Sequence, residues 1–208
     1  MPAIFSCAYF PNVAYMAKWI SAGKAYIEKH ESFVRQTYRS RCKILGANGV
    51  ITLNIPVKDS RKNIPVTSIL IDNSQQWQMR QWRSVTASYG KAPFFAHFED
   101  RIRPLFFSKR ELLFELSVES MSECLYMFDL KKEILFTEKF IHTYDAPYTD
   151  FRVSLNSKNL YKWPSLFDPA PYTQVFGNRF IPNLSVLDLI FCEGPHAVSI
   201  LHASITRN

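Results

Sequence analysis

The chain has 208 residues, of which 47% are hydrophobic and 15% aromatic, ample for a packed core and of a length suited to one large domain, taken here as 1–208. Its 25 Lys and Arg exceed 18 Asp and Glu for a net charge of +7; this favours anionic small-molecule partners, while the dispersal of the basic residues argues against nucleic acid. No apolar run reaches the roughly 18 residues that a membrane span needs, so membrane insertion is not expected.

In chain order, the β-rich run Ala3 to Phe10 ends at Pro11-Asn12 and predicts a buried strand followed by a turn. Val13, Met16, Ala17 and Ile20 then share one face of a helix that Gly23 ends, and a short strand follows from Ala25 to His30. Asn48-Gly49 is the strongest hairpin signal, linking a strand around Arg41 to Leu45 with Val50 to Val57 and setting Arg39, Arg41 and Lys43 at period two on one cationic face. Such a face is either a solvated sheet surface or an anion-binding surface of aligned guanidinium forks. Lys58 to Asn63 reads as an exposed loop and Val66 to Ile71 as a further strand.

Three helices come next. The first, Gln75 to Tyr89, is opened by Asp72-Asn73-Ser74 and closed by Gly90. The second starts at Pro93 and is bent or ended by Pro104; the third carries Leu112, Leu116, Met121, Leu125 and Phe128. The stretch from Lys131 to Pro171 loosens into a short strand near Ile134 to Thr137 and a long irregular crossing that holds Tyr161 and Trp163. The end of the chain, Tyr172 to Pro195, reads as a strand, a turn and a buried helix capped by Asn183 or Ser185 and stopped by Gly194-Pro195, after which residues beyond His202 fray. The architecture expected is α+β, a mixed sheet of the N-terminal strand and the hairpin covered by helices, with α/β as the alternative.

The large catalytic motifs are absent: the chain has no Gly-rich phosphate loop, no zinc-binding helix motif, no nucleophile elbow and no dinucleotide fingerprint. Cys7, Cys42, Cys124 and Cys192 lie far apart, the histidines are scattered, and the N-terminus lacks the build of a signal peptide, so no metal or cofactor is expected and reduced thiols in a cytoplasm fit best. Cys7, near the carboxyl end of a buried strand, is the best-placed nucleophile, against the plainer reading of a buried structural thiol. Asp188 falls inside an apolar helix and must be paired or protonated; Arg39, Arg41 and Arg179 are its candidate partners, and a structural role in capping or a core ion pair is the simpler reading.

AYFPNVAYMAKW, RQTYRSRCKI, LNIPV, WRSVTASYGKAPFF and YTQVFGNRFIPNLSVLDLIFCEGP follow one another along nearly the whole chain, and together they resemble the WbqC-like family, closest to its Bacteroidetes-type branch. The chain departs from relatives that carry a His-Gln-Pro motif near Ser6-Cys7-Ala8 and a His-Trp-Arg motif where Gln81-Trp82-Arg83 stands, which removes two natural general bases. The resemblance implies a transferase-like or accessory role in making O-antigen and other surface polysaccharides, with an anionic nucleotide- or carrier-linked substrate. In that reading Gln36, Arg39, Arg41, Arg83, Gln174 and Asn183 bind substrate, Cys7 or Tyr9 acts near the reacting atom, and Asp188 orients an arginine. The rival is a non-catalytic binding or scaffold protein in which the same polar residues are structural.

Overall fold

The computed structural model describes residues 1–59, 63–107, 109–155 and 167–205. Ala3–Ser6 (β1), Val13–Ser21 (α1) and Ala25–Glu28 (β2) form a β-α-β unit, with Ala3 opposite Ala25 in parallel register. Two short strands far along the chain, Leu135–Phe136 (β5) and Thr149–Asp150 (β6), extend it to a parallel sheet of order β5-β2-β1-β6. Arg41–Gly46 (β3) and Gly49–Asn54 (β4) pair as a separate antiparallel hairpin whose turn uses Gly49 at φ 112, a backbone region open to glycine.

The architecture is therefore α+β with a β-α-β beginning, but the hairpin does not join the N-terminal strand as the sequence suggested. Both edges of β1 are taken by the parallel neighbours β2 and β6, and crossover connections deliver those strands. The helices are Trp77–Tyr89 (α2), Phe95–Phe107 (α3), Leu113–Met127 (α4), Val186–Glu193 (α5) and Ala197–Ala203 (α6). α3 continues through Pro104 because Leu105 and Phe106 beyond it are anchored in the core. Val66–Ser68 makes a single 3-10 turn and not a strand, with Leu70 and Ile71 in isolated bridges to Leu112 and Val57.

The stretch from Tyr172 also forms no strand. Its ladder is replaced by one side chain: Gln174 accepts from the Ile181 amide at 2.8 Å and donates to the Ile181 carbonyl at 2.9 Å. Tyr161 and Trp163 lie outside the described residues. The strand β6 and the helix α6 carry no clear signal in the sequence; the two residues of β6 are too few for a period to show.

The loop before α5 closes the start of α1. The Val13 amide donates to the Leu184 carbonyl, the Ala14 amide to the Asn183 side chain at 2.9 Å and the Tyr15 amide to the Asn12 side chain at 2.8 Å. In return the Val186 amide donates to the Pro11 carbonyl and the Ser185 hydroxyl to the Phe10 carbonyl, while Ser185 also caps α5 through the Leu187 amide. At the far end of α1, the Lys132 ammonium donates to the carbonyls of Trp19, Ile20 and Ala22.

Asn183 holds its cap from a left-handed backbone, φ 60. Asn183→Ala loses the cap and strains the backbone, and is expected to cost about 2 kcal/mol in urea unfolding, whereas Asn183→Gly recovers roughly half by relieving the strain. An alanine variant as stable as the parent would contradict the capping role.

Candidate functional site

Asp188, fully buried in the first turn of α5, is met by no arginine among the described residues. Its carboxylate accepts from the Tyr89 hydroxyl at 2.7 Å, from the Tyr172 hydroxyl at 2.7 Å and from the Gln174 amide at 2.9 Å. The Tyr89 hydroxyl in turn accepts from the Leu45 amide at 3.0 Å, so α5, α2, β3 and the 172–181 segment meet at one carboxylate. Arginine was the expected partner because a buried charge calls for a countercharge; three neutral donors serve instead. Burial raises the Asp188 carboxyl above its ordinary range, and the bonds from Tyr172, Tyr89 and Gln174 pull it partly back.

Cys7 and Tyr9 are buried as well. The Cys7 thiol is pushed up to about 12, first by burial and then by Glu31, with Arg39 opposing, which leaves it protonated and without the thiolate that nucleophilic attack requires. Tyr9 donates to Gln81 at 3.0 Å, and Gln81 donates to the Asn54 carbonyl at 2.8 Å. Gln81 thus accepts and donates at once, as a neutral imidazole does, and works as a strut between the segment after β1, α2 and β4.

At the carboxyl ends of the parallel strands, where open α/β sheets take ligands, two charged knots form. Arg39 precedes β3, so it does not share a strand face with Arg41 and Lys43. It turns inward and grips Glu31 bidentately, at 2.9 and 2.5 Å, and also donates to Thr37 and Ser6. Burial pushes the Glu31 carboxyl above its ordinary range, with Arg39 pulling it partly back, while Glu31 outweighs the burial of Arg39 and raises the guanidinium in turn. Arg152 holds Asp150 at 3.0 and 2.6 Å and lies 3.4 Å from the fully buried Glu28, which also accepts from Thr137 at 2.7 Å. Sequence reasoning passed over Glu28, Glu31, Asp150 and Arg152. The signal for the first two was two acids closing an apolar strand in Glu28-Lys29-His30-Glu31; Asp150 and Arg152 gave none.

The described residues Cys7, Arg39 and Arg152 border a hollow of about 20 Å³ at this edge, room for one water molecule and no more. The start of α1, the usual phosphate seat in such folds, is filled by Asn12, Asn183 and Leu184 acceptors. A different hollow does join two of the expected binding residues. Gln36 and Arg41 line a recess of about 250 Å³ together with Arg35, Ser40 and Asn54. Arg41 is steadied there by donating to the Asn54 side chain at 2.8 Å. Arg83 stands exposed on α2 and is not part of that recess, and the Gln174 amide and the Asn183 side-chain oxygen are committed to the bonds given above. Among the described residues no group of three or more His, Cys, Asp or Glu is set to hold a metal ion, and no helix is long and apolar enough to cross a membrane.

The raised Asp188 carboxyl has a definite sign in stability. The folded form keeps its proton to higher pH than the unfolded chain, so this group's contribution is fully present below the unfolded pKa and declines as pH rises through the raised folded value. Asp188→Asn removes that decline: the stability gap between parent and variant is expected to move in the variant's favour as pH rises from about 4. Urea unfolding across pH checks this, and a gap independent of pH would contradict it.

Comparison with curated proteins and with solved structures gave no match. The family model described as the WbqC-like protein family matches residues 7–156, a span that begins just after β1 and takes in α1, β2, the Glu31–Arg39 and Asp150–Arg152 pairs, the hairpin and α2 to α4. On that match the chain belongs to the WbqC-like protein family.

Proposed function

We propose that the protein is a transferase-like or accessory component of O-antigen or other surface polysaccharide synthesis, acting in the cytoplasm as a single domain, and that it binds an anionic, nucleotide- or carrier-linked substrate. The observation that carries the anionic part is the recess at the base of the hairpin, where Arg35 and Arg41 flank Gln36. Its volume of about 250 Å³ suits a phosphate or diphosphate better than a whole nucleotide sugar. The Arg41 guanidinium there, held by Asn54 through its Nε, points to charge-assisted recognition of phosphate oxygens. The net charge of +7 favours encounter with such a ligand.

Cys7, Tyr9 and Asp188 receive no catalytic role in this reading, because each is buried and Tyr9 and Asp188 spend their polar atoms on protein partners. A second reading, a non-catalytic scaffold, draws on the same fact: Arg39, Gln174 and Asp188 are satisfied inside the protein and do not converge on an open site. The recess is what weighs against it.

Arg41→Ala is expected to weaken binding of nucleotide sugars about tenfold or more, from the loss of one charge-assisted contact, and to flatten the salt dependence of binding. Calorimetric titration at two salt concentrations checks this. Binding untouched by the substitution, in a panel that includes carrier-linked sugars, would remove the recess as the anion site and favour the scaffold.

A further inference from the structure

Ile4 and Tyr26 pair across β1 and β2 on the sheet face opposite Phe5, whose ring packs on Tyr15 and Trp19 of α1. Across that face stand residues of the 137–148 segment, and between the two runs a groove of about 560 Å³, within the range of small-molecule sites. Three tyrosines line it: the Tyr148 ring lies 6.4 Å from that of Tyr26 and 5.6 Å from that of Tyr144. Tyr148 is 41% exposed and Ile141 37%, so much of this wall is open to an incoming molecule.

The polar lining has a sign. Glu138, Asp145 and Lys139 line the groove, and behind Thr137 and Tyr144 sits the buried Glu28, to which both hydroxyls donate, at 2.7 and 3.4 Å. Arg152, the nearest guanidinium, stacks 4.9 Å from the Tyr144 ring and is already held by Asp150 and Glu28. In a chain of net charge +7 this groove is lined by two acids to one lysine, and among the described residues no guanidinium lines it to receive a phosphate. Flat aromatic walls with carboxylate and threonine acceptors suit an uncharged polyhydroxylated ring: its C–H faces lie on the tyrosines and its hydroxyls donate to the carboxylates.

From this juxtaposition of three tyrosine rings with a carboxylate-lined rim, we infer that the groove is a saccharide site for an uncharged sugar, separate from the recess at Arg41. Its assignment to the acceptor side of a glycan-building reaction rests on the function proposed above; its ligand chemistry does not.

The test titrates the full chain by calorimetry with neutral disaccharides (lactose, chitobiose and maltose) and with uridine diphosphate. At least one disaccharide is expected to bind, with Tyr148→Ala weakening it tenfold or more and Arg41→Ala leaving it unchanged, while the diphosphate does not compete. Tyr148→Ala removes an exposed ring, and circular dichroism verifies that the fold persists. Failure of every disaccharide to bind the folded protein, binding indifferent to Tyr148→Ala, or competition by the diphosphate would each overturn the assignment. Loss of the Arg41 effect on nucleotide sugars with saccharide binding intact would instead remove the phosphate recess and leave the groove.

Discussion

A single buried carboxylate sets the shape of the chain. Asp188 has no cation beside it among the described residues, and its burial costs several kcal/mol unless donors surround it. Tyr89 on α2 and Tyr172 and Gln174 in the 172–181 segment supply them. Because Tyr89 also receives the Leu45 amide, the hairpin cannot shift without disturbing the carboxylate. Gln174 fixes Ile181 on both sides of its peptide, so the loop that follows arrives where Asn183 and Ser185 can close α1 and open α5. The whole run from Tyr172 to Asp188 is a clamp.

That clamp decides what the polar residues are free to do. A helix start at the carboxyl edge of a parallel sheet ordinarily holds a phosphate, yet here its amides are taken by Asn12, Asn183 and Leu184. The two arginines at the same edge are locked onto Glu31 and Asp150. On the function proposed above, ligand contact falls to side chains at the rim: the guanidinium of Arg41 on one flank, and the tyrosines of the sheet-face groove on another.

Elements with a strong local period were legible in the sequence. The helices α1, α2, α3 and α4, the Asn48-Gly49 hairpin and the capped α5 all lie close to where periodicity and caps put them. The elements missed, β6 and α6, are two and seven residues long, and their existence depends on partners distant in the chain. The site residues show the same division. That Asp188 is buried followed from its apolar helix, but its tyrosine partners are a tertiary fact. Arg39 read as the start of a cationic strand because period two extends to it; the pull of Glu31 turns it inward before β3 begins. Glu28 and Arg152 stand 124 positions apart and only the sheet brings them together.

The central claim is that ligands meet the rim while the buried Asp188 clamp holds it in place. The most direct measurement is a two-dimensional amide NMR titration of the whole chain with a nucleotide sugar. The account predicts shifts concentrated at residues 35–41 and 54–57, with the amides of Val186 to Cys192 and of Cys7 and Tyr9 unmoved. Shifts centred on Cys7, Tyr9 and Asp188 would contradict it and return the chemistry to the interior.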